Sequence, residues 1–467
     1  MHKFRIKFAI RALLRNKVYT LLNVMGLAIG LGVCLIIFLY LQSELTYDTS
    51  IAGYDKIYRV SSVFTVDEQQ EEYGGAGIGL APLLQREFPF IEGATRFVHI
   101  DESVLFKRDG IQASDDYVAL ADHNYFKVFE IPFLAGNPAT ALDEPQSMVV
   151  TRSFAQKYFG DANPVGKLIS TNNYEYTVTG LIDDFPANTH HSYSALILSF
   201  YRRDKAENWQ NSLWQIEAHT FLKLSSAADA ARLENDFGSF YQKYMAEAGQ
   251  GLQADYLINL TPLDEVHFAE PVKFDRPAGN KGYLYAFGGI GLLILVLACI
   301  NYINMATIRS LRRVKEAGMQ KVLGAGKREI VYQVLIESFI LASMALLVAM
   351  VMVELVLEFT PLNNIMGKDL TLNFMHNLTL WWLPLGLASL IAFLSGWFPA
   401  LYLSKVPAMA GLKKGIIRQK GGLGVRKLLV GFQFTISVAV VITALLMYRQ
   451  MEFVRSKDLG FNKEDVM

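Results

Sequence analysis

A glycine-rich, basic segment has residue types that could bind phosphate. Gly324-Ala-Gly-Lys-Arg contains the glycines and the lysine of a nucleotide-binding loop. Such a loop has the pattern Gly-x4-Gly-Lys-Ser/Thr, because the first glycine begins the turn and the hydroxyl group ligates magnesium. Aligned on Gly326 and Lys327, that pattern needs glycine at position 321 and a hydroxyl at 328, but the chain has Lys321 and Arg328. The segment is therefore not a nucleotide site, and no other stretch fits better.

Other polar residues have the types needed for metal binding or hydrolysis. His190 and His191 lie near Asp183 and Asp184. Adjacent histidines on a strand point to opposite faces, and no further ligand follows at a useful spacing, so a surface loop is the favoured interpretation. The Ser, His and Asp residues form neither a nucleophile elbow nor a helical pair of metal-binding histidines. We predict no catalytic residue, no metal site and no enzyme activity.

Hydropathy predicts the elements that position these residues. The 467 residues are 52% hydrophobic, which is unlike an ordinary soluble enzyme of this size. A helix needs about 20 apolar residues to cross a bilayer, and such stretches occupy residues 21–41, 283–305, 330–357, 380–403 and 428–447. The first is longer than a secretory signal core and no small-residue cleavage site follows it. We interpret it as a retained anchor.

Charge is separated along the chain although the net charge is zero. From Glu44 to Lys281 there are 34 acidic and 19 basic residues, a net charge of −15, so the remainder carries +15. Short loops rich in Lys and Arg remain in the cytoplasm; here they are residues 1–20, which form a basic amphipathic segment, 306–329 and 404–427. Residues 358–379 form a short outer loop, 42–282 a large extracytoplasmic domain, and 448–467 the start of a second outer segment.

The large acidic segment has mixed secondary-structure signals. Strands are predicted at residues 57–60, 104–107, 167–170 and 174–179, and helices at 152–158 and about 228–247. Thr151 is expected to cap the first helix and Asp109-Gly110 to form a hairpin turn. The predicted fold is a membrane protein in which an α-helical transmembrane bundle carries a large α+β extracytoplasmic domain, inserted between the first and second spans.

The segment that contains Gly324 has a second interpretation. An apolar stripe recurs at helical spacings of three and four, through Leu311, Val314, Gly318, Val322 and Ala325. This pattern predicts a short amphipathic cytoplasmic helix. A solvated loop, held inside by its positive charge, remains open on this pattern alone.

Several motifs together resemble the MacB/FtsX-like ABC transporter permeases. They are Asn301-Tyr-Ile-Asn-Met leading into Arg312-Arg-Val-Lys-Glu-Ala-Gly-Met-Gln-Lys-Val-Leu-Gly-Ala; Arg11-Ala-Leu-Leu-Arg-Asn-Lys with Gly26-Leu-Ala-Ile-Gly; Val149-Val-Thr-Arg-Ser-Phe-Ala with Asn163-Pro-Val-Gly-Lys; and Gly396-Trp-Phe-Pro-Ala. The resemblance covers nearly the whole chain. It departs at Gln320, where members typically carry a basic residue, and in the fifth span, which is expected of the front part of a two-repeat permease.

The resemblance implies a function and a set of partners. A permease subunit would bind no cofactor and would leave ATP and magnesium to a cytoplasmic ABC ATPase dimer. It would transmit ATP-driven motion across the bacterial inner membrane to a periplasmic domain of two subdomains, for export or extraction of a substrate. A second permease half or copy and a periplasmic adaptor are further expected partners, and nucleic acid is not. The alternative is a membrane sensor, although the chain has no kinase, cyclase or methyl-accepting segment.

The resemblance also implies site residues. Segment 306–329 would be the coupling helix that contacts the ATPase, with an interface formed by Arg313, Lys315, Glu316, Gly318, Lys321, Gly324 and Ala325. Ionisable groups inside a span are costly and usually face protein, so Glu337 has either a coupling role or a simple interfacial placement, as does Glu354. Close helix packing is expected at Gly26, Gly30, Gly288 and Gly289.

Overall fold

The computed structural model describes residues 11, 13, 15, 17–199, 212–275, 279–372, 379–405, 407 and 421–456. The chain divides into two compact units. The membrane unit consists of Met1–Leu41 and Tyr285–Met467, and the outer unit of Gln42–Leu284.

The helices, in chain order, are α1 (Lys17–Leu45), α2 (Leu80–Glu87), α3 (Tyr125–Val128), α4 (Arg152–Phe159), α5 (Ala228–Tyr244), α6 (Ala246–Leu252), α7 (Leu263–Val266), α8 (Lys281–Arg312), α9 (Val314–Val322), α10 (Lys327–Phe359), α11 (Leu362–Met366), α12 (Thr379–Ser404) and α13 (Gly421–Ser456). The strands are β1 (Ile57–Val66), β2 (Gln69–Tyr73), β3 (Ile91–Ile100), β4 (Val104–Arg108), β5 (Ile111–Asp115), β6 (Val118–Ala121), β7 (Phe133–Gly136), β8 (Ser147–Thr151), β9 (Leu168–Ser170), β10 (Glu175–Ile182), β11 (Ala195–Leu198), β12 (His219–Leu224) and β13 (Ala254–Pro262).

Five of the described helices are long and apolar enough to cross a membrane: α1, α8, α10, α12 and α13. Each contains one of the five apolar stretches and continues past both of its ends. The helical hydrogen bonds do not stop where the apolar stretch stops, so polar residues at either side extend the helix beyond the bilayer core. The predicted transmembrane bundle is thus present.

Small residues line the contacts of the membrane unit. Lipid tails are as apolar as the helices, so close approach and van der Waals packing hold such a bundle together. The buried cluster contains the alanines Ala28, Ala298, Ala342, Ala345, Ala349, Ala388 and Ala392. A Cβ atom at Gly30 would lie 2.8 Å from the Cβ of Ala298, so no side chain fits there. At Gly26 it would lie 3.1 Å from Asn301 Nδ2, but at Gly288 and Gly289 it would meet no described atom within 4 Å.

The outer unit is built on a 13-stranded sheet with the order β13-β1-β12-β3-β6-β11-β8-β10-β9-β4-β5, to which β2 adds beside β1 and β7 beside β10. The pairs β8/β10 and β6/β11 are parallel, and the others are antiparallel. Helices cover the sheet through apolar clusters: α2 and α5 pack in one, α3 in a second and α4 in a third. The α+β fold is therefore as predicted.

Two local predictions in the outer unit are confirmed and one is wrong. The Thr151 hydroxyl accepts a hydrogen bond from Phe154 N and caps α4. The β4–β5 hairpin turns at Asp109 and Gly110, whose φ angles of 45° and 85° are those of the tight turn that suits a hairpin. The helix predicted at residues 228–247 is instead divided into α5 and α6, because Met245 leaves helical geometry with φ −126° while its side chain is buried.

The surface-loop interpretation of His190 and His191 is also wrong in one respect. Both residues lie in a loop, but His191 is fully buried. Its ring packs 4.1 Å from that of Phe129, and its Nδ1 lies 3.0 Å from the hydroxyl of Tyr125. Packing of the His191 imidazole against aromatic side chains accounts for the burial of this part of the loop. In the described part of the chain, no three His, Cys, Asp or Glu side chains are placed to hold a metal ion.

Candidate functional site

The candidate site is α9, a short helix between the second and third spans. Arg313, with φ −92° and ψ 2°, breaks the helix after α8, and Gly324, with φ 98°, turns the chain before α10. Glycine adopts that positive φ without steric cost. These breaks make the helix shorter than the predicted apolar stripe. Val314 and Gly318 of that stripe are buried, but Val322 is 59% exposed. Residues Val314–Val322 are helical, as the spacing predicts.

An ion pair anchors the start of α9 to the third span. Arg313 Nη1 and Nη2 donate to Glu337 Oε2 and Oε1 over 2.6 and 3.0 Å. This two-point geometry is the strongest arrangement available to a guanidinium and a carboxylate. Glu337 is 4% exposed and is additionally approached by Arg309 Nη1 at 3.7 Å. The buried carboxylate is thus compensated by cations from α8 and from the break before α9.

Glu316 completes this group on the first turn of α9. Arg313 Nε donates to Glu316 Oε2 over 3.2 Å, and Arg15 Nη2 lies 3.7 Å from the other oxygen of the same carboxylate. Burial alone would lower the pKa of Arg313, but Glu337 and Glu316 outweigh burial and raise it. The guanidinium therefore stays charged and holds two carboxylates at once.

The rest of α9 is fastened by apolar contact and by a second cation. Ala317 packs with Ile330 of α10 and Leu403 of α12 in a small buried cluster. Lys321 Nζ donates over 2.7 Å to the carbonyl of Ser404, at the carboxyl end of α12 where unpaired carbonyl groups favour a cation. Burial, followed by repulsion from Lys327, lowers the pKa of Lys321. The short helix is therefore joined to two spans.

Three spans meet at the residue after Glu337. Tyr302 of α8 donates its hydroxyl hydrogen to Ser338 Oγ over 2.8 Å, and both residues are buried. A Cβ atom at Gly396 of α12 would lie 2.6 Å from the same oxygen. The absence of a side chain at Gly396 lets α12 approach α10 here. The anchor of α9 thus rests on closely packed helices.

The structure separates the predicted ATPase-interface residues into two groups. Gly318 is buried, and Arg313 and Lys321 are half-buried and bond to other parts of this chain. Lys315 and Gly324 are exposed, Glu316 has 46% of its side chain exposed, and Ala325 is half-buried. The assignment of these residues to an interface stays a prediction.

Sequence reasoning missed the exposed apolar residues of this segment. Met319 is 54% exposed, and Leu323, immediately after α9, is 87% exposed. The signal in the sequence was the presence of large apolar side chains within a strongly basic loop, because such side chains are unfavourable in a segment surrounded by water. Glu354 of α10, unlike the buried Glu337, is exposed and forms no ion pair with any residue that the structure describes.

Comparisons with known proteins match both units. Residues 20–239 match the family model of the MacB-like periplasmic core domain, and residues 288–408 match that of the FtsX-like permease C-terminal region. The uncharacterized ABC transporter permease YvrN of Bacillus subtilis is 21% identical over 72% of this chain and 83% of its own length. The macrolide export ATP-binding/permease protein MacB of Pasteurella multocida is 22% identical over 71% of this chain.

The match to MacB spans 48% of that protein's length. Among solved structures, the periplasmic region of MacB from Actinobacillus actinomycetemcomitans is 15% identical and covers 44% of this chain and 90% of its own, with a TM-score of 0.30. The two family models together cover the first span, most of the outer domain and the second to fourth spans. The protein is a permease subunit of an ABC transporter and belongs to the MacB/FtsX-like permease family.

Proposed function

We propose that this permease receives the motion of a cytoplasmic ATPase at α9 and transmits it through the spans to its periplasmic domain. The observation that carries the proposal is the buried ion pair between Arg313 and Glu337. A short helix joined to its neighbours by flexible loops alone would absorb a push from outside. A helix fixed by two charge-assisted hydrogen bonds moves together with the span to which it is bonded.

The exposed surface of α9 supports a protein partner. Met319, Val322 and Leu323 present apolar side chains, and the exposed Lys315 of α9 precedes them in the sequence. Exposed apolar residues that adjoin charged ones are typical of a protein-protein interface, in which the apolar centre is buried and the charges form the rim. We assign this surface to the ATPase.

The distribution of basic residues supports the orientation. The loop that contains α9 is strongly basic, as is the amino terminus. Short loops rich in Lys and Arg remain in the cytoplasm, so we assign both segments to that side. The amino terminus is then cytoplasmic and the outer unit is periplasmic, in the inner membrane of a bacterium. ATP and magnesium bind to the ATPase dimer, and this chain is a non-catalytic subunit that binds neither.

Further partners follow from the remaining surface. The apolar window of α13, Lys427–Phe453, has no buried residue among those described. A second permease half or copy is the partner we assign to this helix, and a periplasmic adaptor remains an additional one. The MacB relative is named for macrolide export, and we extend from it only the general activity, which is export or extraction of a substrate.

Substitutions on the exposed surface of α9 test the proposal. Leu323→Asp and Met319→Asp place a charge in the predicted apolar centre, whereas Ile365→Asp, at a 77% exposed residue of α11, is the matched control. A hot-spot contact contributes about 2 kcal/mol, so each α9 variant should reduce the amount of co-purified ATPase by about tenfold or more. Ile365→Asp should leave it unchanged. Undiminished co-purification and ATP hydrolysis in both α9 variants would refute the assignment.

A further inference from the structure

Two buried carboxylate–histidine pairs lie within the outer unit, near its two connections to membrane helices. Asp48 pairs with His190, and Glu44, on the last turn of α1, pairs with His267. Both carboxylates are at most 4% exposed. Glu44 and Asp48 lie where the chain leaves α1, and His267 lies directly after α7 and is bonded through its carbonyl to Gly279, just before α8. The pairs therefore stand at the two points where the outer unit continues into membrane helices.

The first pair bonds the chain after α1 to the loop between β10 and β11. Asp48 Oδ1 accepts hydrogen bonds from the Thr189 hydroxyl and the His190 amide over 2.7 and 2.8 Å. Its Oδ2 lies 2.5 Å from His190 Nδ1. Burial alone would raise the pKa of Asp48, but the hydrogen bond and charge of His190 outweigh burial and lower it. Asp48 is therefore a buried carboxylate whose charge is met by directed donors.

The same loop also holds the backbone beside Asp48. Asn188 Nδ2 donates to the carbonyl and hydroxyl oxygens of Thr46 over 2.9 and 3.1 Å. The amide of Asp48 donates to the Asn188 carbonyl over 2.9 Å. Residues 46–48 and 188–190 are thus joined through both side chains and backbone, which leaves the chain little freedom to rotate.

The second pair bonds the last turn of α1 to the chain before α8. His267 Nε2 lies 3.0 Å from Glu44 Oε2. The ring of Tyr47 stacks on that of His267, with centroids 3.7 Å apart and planes 4° from parallel. The Gly279 amide donates to the His267 carbonyl over 2.6 Å. A Cβ atom at Gly279 would lie 2.4 Å from His267 Nε2, so only glycine lets the chain pass over this ring.

Tyr47 makes the two pairs one cluster. Its ring centroid lies 4.6 Å from that of His190 as well as 3.7 Å from that of His267. We propose that Glu44, Tyr47, Asp48, His190 and His267 form a clamp that fixes the outer ends of the first and second membrane helices to the periplasmic sheet. This inference rests on the proposed function, because the clamp matters only if those helices move. Its members are positioning residues: directed, buried hydrogen bonds to a carboxylate resist rotation in a way that apolar contact does not.

Asp48→Asn removes one of the two carboxylate charges of the clamp with little change in side-chain shape. Asp48 has φ 58°, and asparagine tolerates that left-handed conformation. Spin labels at Leu45→Cys, on α1, and at Tyr117→Cys, beside β6, report the distance from the helix end to the sheet. Both positions are more than 60% exposed. The native Cys34 and Cys299 are replaced by alanine, and the full chain is studied with its co-purified ATPase, before and after trapping with ATP and vanadate.

The clamp predicts a nucleotide-dependent difference between the variants. With Asp48 present, the label distance should be narrow and unchanged by trapping, because the helix end and the sheet move together. In Asp48→Asn, trapping should shift the distance by about 2 Å or more, the scale of helix movements in switching proteins. A purely structural role would broaden the distribution equally with and without nucleotide, and that result would overturn the proposal, as would a distribution identical to that of the parent chain.

Matched variants separate the clamp from general destabilisation. Asp184→Asn removes an exposed carboxylate of the same β10–β11 loop, which accepts a hydrogen bond from Ser153 of α4, and it should behave as the parent chain. Thr189→Val removes one donor to Asp48 and should shift in the same direction as Asp48→Asn, whereas Thr189→Ser keeps the hydroxyl and should not. Equal behaviour of the Val and Ser variants would contradict the clamp.

A label at Leu323→Cys distinguishes this proposal from the proposed function. If trapping alters the mobility of that label but leaves the Asp48→Asn distance unchanged, the clamp is overturned and the coupling role of α9 stands. If trapping alters neither the mobility of the label at position 323 nor the label distance in Asp48→Asn, both proposals fail.

Discussion

Arg313 and Glu337 are separated by 24 residues and by a helix break, yet they form a two-point hydrogen-bonded ion pair beneath α9. Arginine can hold a carboxylate in this way because its planar fork presents two parallel N–H groups. The ion pair fixes the start of α9 to α10, the third span. It also explains how a buried carboxylate is tolerated in a largely apolar helix, since buried charges in membrane segments are retained when they are paired.

Loss of the Glu337 charge should uncouple α9. Glu337→Gln keeps the shape of the side chain but leaves the Arg313 guanidinium buried without its main counter-charge, which costs about 3 to 5 kcal/mol. We expect a lower thermal unfolding temperature in detergent and reduced stimulation of the ATPase. Glu354→Gln removes an exposed carboxylate from the same helix and should change neither quantity. Indistinguishable behaviour of the two variants would show that the pair is dispensable.

Cysteine labelling should place α9 and the sheet on opposite sides of the membrane. In a chain without Cys34 and Cys299, a membrane-impermeant maleimide added to intact cells should modify Tyr117→Cys but not Leu323→Cys. Both residues are exposed, so access to reagent is decided by the side of the membrane. Permeabilised cells, in which both should react, are the control. Labelling of position 323 alone in intact cells would reverse the orientation.

The purified chain, without a partner, should not bind ATP. Lys327 lies at the start of α10 and lacks the glycine spacing and hydroxyl of a phosphate-binding loop. Calorimetry with ATP and magnesium should give no saturable heat, and Lys327→Ala should be indistinguishable from the parent chain. Saturable binding that Lys327→Ala abolishes would overturn this expectation.

The stability contribution of Asp48 should be lost only in strong acid. The folded structure lowers the pKa of Asp48 below its ordinary value of 3.8, against the effect of burial, through His190 and Thr189. A carboxyl group with a depressed folded-state pKa stabilises the protein above its unfolded pKa, and the contribution is lost as the pH falls through the folded value. The stability difference between the parent chain and Asp48→Asn should therefore persist at about pH 5 and shrink below pH 3.8. A difference that disappears between neutral pH and about pH 5 would mean that another group controls it.

Local patterns in the sequence were sufficient for the fold but not for the pairs that hold the site. The spans and the Thr151 cap depend on neighbouring residues, so hydropathy and spacing predicted them. The Arg313–Glu337 contact joins separate helices, and the Asp48–His190 contact joins residues 142 positions apart. In the sequence, each of these four residues is an ionisable residue with no neighbour that indicates its contact. The break at Arg313 was missed as well, because neither glycine nor proline marks it.

The stripe through Val322 shows the same limit. Helical spacing assigned Val322 to the buried face, but the helix ends at that residue, so the periodicity no longer decides which way the side chain faces. Gly318 belongs to the predicted ATPase interface but is buried, so a large side chain there would disturb packing within this chain before it reached any partner. Exposed Leu323 and Met319 are the cleaner positions for testing contact with the ATPase.

Photo-crosslinking from Leu323 shows directly whether α9 contacts the ATPase. A photoreactive amino acid at this 87% exposed position, with Ile365 of α11 as the 77% exposed control, is introduced into the full chain and irradiated in membranes. We expect an adduct that contains an ABC ATPase from position 323 and none from position 365. If position 323 gives no ATPase adduct while the ATPase still co-purifies with the chain, α9 is not the contact through which this permease is driven.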